Sequence, residues 1–167
     1  MSHYSTRSRT RLQTADVALQ QVFSEVDPRY PNTILEGKRT DEQQWKNVEK
    51  GVSQTMESMH LFDPSEAVDA APDPLAWPNV KQLVREIADL LSTHVPREQR
   101  GKLNALISLH VKDVARWYHF GGYVQGTADQ MYRHGEVPRK VRWGGDWDSD
   151  RVFSDQNFDD LPHFELS

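Results

Sequence analysis

No cysteine occurs anywhere in this chain. Disulfides and thiolate metal sites are therefore excluded, and any transition metal must be held by His, Asp or Glu. Also missing is any apolar run approaching the roughly 18 residues of a membrane span, so no stable membrane insertion is expected. The N-terminus, MSHYSTRSRTRLQTADVALQ, has basic residues with no apolar stretch behind them. That lacks the pattern of a secretory signal, and the chain is expected to be made in the cytoplasm and to need help to cross a membrane. Positive charge is in deficit too. The formal net charge is -5 and the pI about 5.8, which disfavours a polyanion binder, since phosphate recognition relies on Lys and Arg; nucleic acid is not an expected partner. The exception is a basic arm, residues 1–12, where Arg7, Arg9 and Arg11 precede the first acid, Asp16. It reads as a solvated terminus.

What is present suits one folded unit. The 167 residues are 37% hydrophobic, with five Trp, five Tyr and six Phe, so a single domain over 13–167 with a real core is expected despite a mean hydropathy of -0.76. Thr14 is a plausible N-cap for a helix to Val26, whose apolar residues Val17, Leu19, Val22, Phe23 and Val26 share a broad face. A short strand over Asn32–Leu35 and a helix over Asp41–Lys50, closed by Gly51, follow. Ser53 to Asp73 reads as loop. An apolar stripe predicts a helix over 79–94, 96–101 a linker, and 103–132 a long helical region interrupted at Gly121-Gly122. Alternating pieces at Lys140–Gly144 and His163–Leu166 suit strands. The order points to an α+β fold with a small antiparallel sheet and flanking helices.

Three separated stretches each offer a residue able to bind one metal ion: His60 in SMH, Asp69 in AVD and His163 in LPHFEL. Two neutral imidazoles and a carboxylate are a sufficient protein shell for a catalytic Zn²⁺ with one position open. His3, His94, His110, His119 and His134 lack comparable contexts. Asp146, Asp148 and Asp150 alternate like a calcium loop, but Arg151 stands where such a loop wants Gly and the bidentate Glu is missing. A solvated acidic turn is the favoured reading there, with Ca²⁺ as a minor alternative.

The strings EGKRT, SQTMESMHL, EAVD, VRWGGDWD and NFDDLPHFEL, in this order, resemble the zinc peptidases that include D-alanyl-D-alanine carboxypeptidases and single-domain phage endolysins cutting the L-alanyl-D-glutamate bond of peptidoglycan. The likeness runs from about Ser5 to the C-terminus and is closest over roughly the last thirty residues. It implies the hedgehog and D-alanyl-D-alanine-peptidase type of fold. It also implies one Zn²⁺ held by His60, Asp69 and His163, with Asp160 as general base and Arg39 facing the metal to stabilise the oxyanion. Here Asp69 follows His60 at a spacing two residues longer than the family's usual one, because Phe62-Asp63-Pro64-Ser65-Glu66 fills a slot normally occupied by a short turn. Ser53 and Ser58 sit at family-like positions for binding substrate or the ligand loop. Glu165, two residues on, is placed to accept a hydrogen bond from the His163 imidazole.

Trp143, Trp147 and Gly144-Gly145 lie, by the same resemblance, beside the active-site groove. Trp143 is the expected substrate contact, and packing in the core is the competing expectation. The implied activity is that of a peptidoglycan-degrading endolysin, a monomer acting on the stem peptide in the periplasm after release from the host cytoplasm by a holin. A D-alanyl-D-alanine carboxypeptidase or dipeptidase, or a metal-free binding protein on the same fold, are the alternatives.

Overall fold

Two helices with side-chain caps open the chain. The computed structural model describes residues 4–78, 83, 85–87, 89, 97–156 and 158–167. Ser5 caps α1 (Thr6–Leu12) by accepting from Ser8 N, and Asp16 caps α2 (Val17–Val26) by accepting from Ala18 N. The segment read as a basic arm thus holds a helix, in which Ser8 and Leu12 are buried and Arg11 donates to Ile34 O at 3.0 Å. Asp16, not Thr14, starts the second helix. Thr14 instead donates to Arg11 O at 2.7 Å and accepts from Lys38 N at 2.7 Å, tying the α1–α2 junction to the loop after the first strand.

That strand, β1, is Asn32–Glu36. α3 (Asp41–Glu49) starts with a capping box between Thr40 and Gln43. A single 3₁₀ turn follows at Met59–Leu61, then β2 (Ala67–Pro72). The loop expected over Ser53–Asp73 therefore contains a strand, and a central one. Of the helix expected over 79–94, positions 83, 85–87 and 89 are helical and the rest lie outside the described residues. α4 (Arg97–Arg133) absorbs most of the expected 96–101 linker and runs unbroken through Gly121-Gly122. Two short strands, β3 (Val141–Trp143) and β4 (His163–Leu166), end the chain. Among the described residues, no helix is long and apolar enough to cross a membrane.

The four strands form one antiparallel sheet in the order β1-β2-β4-β3. Because successive strand residues face opposite sides, Phe164 and Leu166 point one way and His163 and Glu165 the other. The first pair enters the core with α2 and α4. The Phe164 ring stands edge-on to Phe23 at 5.5 Å and to Phe120 at 5.8 Å, and stacks with Trp143 at 6.4 Å. The second pair faces the site.

Gly121 explains how α4 approaches the sheet. A Cβ at that position would lie 2.4 Å from the Trp143 indole, which is fully buried. Gly121→Ala is therefore expected to lower stability by about 1–3 kcal/mol, although alanine favours helix, because the indole has no space to retreat into. Thermal unfolding of the two proteins measures this directly.

Candidate metal centre

The register of β2 and β4 builds the site. Asp69 is the cross-strand partner of His163, which puts the two side chains on one face as near neighbours. His60 arrives from the 3₁₀ turn, where Ser58 caps the turn by accepting from His60 N at 3.3 Å. The longer spacing between His60 and Asp69 is absorbed by an outward turn pinned to the α1–α2 junction. Ser65 N donates to Thr14 O at 2.9 Å, and Asp16 N donates to Ser65 O at 2.7 Å.

Asp69 Oδ1 lies 3.1 Å from His60 Nε2 and 3.1 Å from His163 Nδ1. One ligand atom from each of the three residues falls within 4.8 Å of the others. The far nitrogens are also engaged. His60 Nδ1 lies 2.6 Å from Gly37 O; since a carbonyl only accepts, this nitrogen carries the proton and leaves Nε2 for the cluster. His163 Nε2 lies 2.9 Å from Glu165 Oε2, leaving Nδ1 for the cluster, and Glu165 is held in turn by Arg142 on β3, whose Nε donates at 3.0 Å. Two imidazoles with oriented ring nitrogens and one carboxylate form a donor set that fits a divalent metal. Glu165→Gln is expected to weaken metal affinity by about 10- to 100-fold without abolishing it, measurable by competition with a chelating dye.

The charges in this cluster are strongly coupled. Burial alone would raise the Asp69 pKa, yet the hydrogen bonds and charges of His163 and His60 outweigh it and hold the carboxyl far below its usual range. Burial pulls His163 down, but its hydrogen bonds with Asp69 and Glu165 win and raise it to about 9. With the pKa held up in this way, a metal entering at pH 7 would have to displace a proton from His163, since a protonated nitrogen offers no lone pair. Metal loading at pH 7 should release this proton, and the release should fade as pH rises through about 9. Titration calorimetry in buffers of different ionisation enthalpy reads it.

Arg39 and Asp160 stand around the same cleft, of about 1360 Å³. The Arg39 guanidinium is held by Glu36 and donates to Gln44 Oε1 at 2.5 Å, and one nitrogen lies 3.7 Å from Asp69 Oδ2. Gln44, fully buried, also donates to Ser53 Oγ at 2.9 Å, so Ser53 secures the loop behind Arg39. Burial raises the pKa of Asp160, and the charge of Asp69 adds to this against the opposing pull of His163, His60 and Arg39. Its backbone is fixed against β3, with Asp160 N donating to Gly144 O at 2.8 Å. A Cβ on residue 144 would sit 2.4 Å from Asp160 O. That glycine permits the close approach of the Asp160 turn.

One expected substrate contact is corrected. Trp143 is fully buried, its Nε1 donating to Leu161 O at 2.7 Å, and it has no face left for a ligand. Trp147 takes the cleft position, with its ring 5.5 Å from that of His163 and 5.4 Å from the Arg142 guanidinium. Ser53 and Ser58 both line the cleft. Sequence reasoning missed Gln44 and Glu36. Glu36 opens the EGKRT string and was open to notice; a buried glutamine on a polar helix carries no signal. The Asp146–Asp150 turn does gather three carboxylates, but Asp146 accepts from Arg151 N at 3.3 Å and Asp150 from Val152 N at 2.7 Å, so they cap their own backbone.

Among known proteins, one solved structure of similar fold is that of the Serratia marcescens L-Ala D-Glu endopeptidase ChiX. It shares 22% sequence identity, has a TM-score of 0.57, and the match covers 98% of this chain and 90% of that one. No curated protein matches the sequence. The sequence profile of the phage L-alanyl-D-glutamate peptidases matches residues 1–97, which include Arg39, His60 and Asp69; Asp160 and His163 lie beyond it and join them through the sheet. The matched part is thus the N-terminal one, not the C-terminal segment in which the motifs look closest. With the profile spanning more than half of its length, the chain belongs to the phage L-alanyl-D-glutamate peptidase family.

Proposed function

We propose that this chain is a zinc-dependent peptidoglycan peptidase, an endolysin that hydrolyses the L-alanyl-D-glutamate bond of the stem peptide. The observation that carries the reading is the convergence of His60, Asp69 and His163 in one cleft with Arg39 and Asp160, in a member of this family.

His60 Nε2, His163 Nδ1 and the Asp69 carboxylate would hold the ion, and two nitrogens with one carboxylate oxygen favour Zn²⁺. When bound, it supplies Lewis-acid polarisation of the scissile carbonyl and a more acidic water. The remaining work falls to side chains. Asp160, with a pKa raised by burial, takes the proton of the attacking water and passes it to the leaving amine of D-glutamate; a pKa moved up toward the working pH makes it the better base and still lets it return the proton. Arg39 places positive charge where the carbonyl oxygen becomes an oxyanion, and its anchors Glu36 and Gln44 fix it beforehand, so little reorganisation is needed during reaction. Ser53 and Ser58 secure the walls of the cleft, and Trp147 flanks the peptide beside His163. The site of action is the periplasmic wall, reached from the host cytoplasm.

Digestion of purified muropeptides, with the new termini identified by mass spectrometry, tests the bond. New N-terminal D-glutamate is expected. Loss of terminal D-alanine alone would show a carboxypeptidase instead.

A further inference from the structure

The cleft is larger than a peptide bond and its two neighbours require: about 1360 Å³, against roughly 300–1,000 Å³ for ordinary small-ligand pockets. Beyond the metal centre its lining includes Trp77, Pro78 and Trp117. Trp77 is an indole held out to solvent, 57% exposed, yet three contacts fix it. It stacks on the buried Trp117 ring at 5.0 Å with 29° between the planes. Trp117 Nε1 donates to Ala76 O at 2.9 Å, and Arg116 Nη1 donates to Pro74 O at 2.5 Å. α4 thereby holds residues 74–77, and the Trp77 indole, stacked on Trp117 on one side, stays more than half exposed on the cleft wall. A large apolar ring kept rigid and exposed on the wall of a substrate cleft is a preorganised binding surface.

We propose that Trp77 is a stacking platform for the amino sugar to which the stem peptide is attached, so that the site recognises sugar-linked stem peptide over free peptide. This rests on the reading of the chain as a stem-peptide peptidase. In peptidoglycan the L-alanine of the scissile bond is amide-linked to the lactyl group of the N-acetylated sugar. Only one residue separates the sugar from the reacting carbonyl, so a substrate seated at the metal centre brings its sugar close to that centre, and Trp77 lines the same cleft. A pyranose ring presents an apolar face of C–H groups, the complement of a flat indole, while its hydroxyls stay in water.

The test compares two substrates, disaccharide-linked tripeptide and the same tripeptide without sugar, with wild type, Trp77→Ala and Trp77→Phe. Wild type should show the lower KM for the sugar-linked form. Trp77→Ala should raise that KM roughly tenfold, the loss of about 1.4 kcal/mol of stacking, with kcat changed less than about twofold and the KM for free tripeptide unmoved. Trp77→Phe, which keeps an aromatic face, should recover most of the difference. Equal KM values for both substrates in wild type, or a Trp77→Ala effect of the same size on both, would overturn the platform while leaving the peptidase reading intact. Cleavage of neither substrate by wild type would instead refute the peptidase reading, and the platform with it.

Discussion

Asp160→Ala is expected to keep a full complement of metal and lose turnover by about 10²- to 10⁴-fold, the range for removing a general acid–base. The two effects separate because different parts of Asp160 do different things. Its backbone fixes the turn, with N donating to Gly144 O and O accepting from His163 N at 3.0 Å, and alanine preserves both. Its carboxylate stands outside the His60–Asp69–His163 group, so the ligand atoms remain. Removing it takes away one negative charge near Asp69, which weakens the attraction for a cation modestly, while all three ligand atoms stay in place. Kinetics on muropeptides together with metal analysis of the same preparation decide it; an active Asp160→Ala enzyme would assign the proton transfer to another group.

His163→Ala should lose metal and turnover together. This side chain supplies one of three ligand atoms, and its loss should exceed the roughly 10- to 100-fold effect of removing an outer hydrogen-bond partner. Circular dichroism separates ligand loss from misfolding: the β4 backbone pairs with β2 and β3 through main-chain bonds, and the Phe164 and Leu166 anchors stay in the core. A folded His163→Ala protein that retained metal would remove His163 from the site.

The contrast between these variants bears on what the sequence could reveal. His60, Asp69, His163 and Arg39 were legible through the short strings around them, and the structure brings all four to one place. The reason they meet was not legible. Asp69 faces His163 only because β2 pairs with β4 in one register, and β2 reads AVDAAP, a run rich in Ala and Pro and poor in strand formers. The stretch looked like loop for that reason. Tertiary burial decided otherwise, with Ala67, Val68, Ala70 and Ala71 all fully buried.

The tryptophans show the opposite case. Trp143 and Trp147 belong to one string, and nothing in composition tells which enters the core. Alternation along β3 and the close approach that Gly121 allows settle it for Trp143. The apolar face of α2 was clear from its spacing at Leu19, Val22, Phe23 and Val26, although Val17, expected on it, is exposed, and the cap was misplaced by two residues because Thr14 and Asp16 are both capable caps and only Asp16 reaches Ala18 N. Gln44 joins Arg39 to the loop at Ser53 from inside a helix that is otherwise polar, a position that periodicity does not mark.

Metal content and activity of the protein purified without chelator provide the most direct measurement of the central claim. About one zinc ion per chain is expected, with hydrolysis lost on chelation and restored by zinc. Full activity in metal-free protein would contradict it.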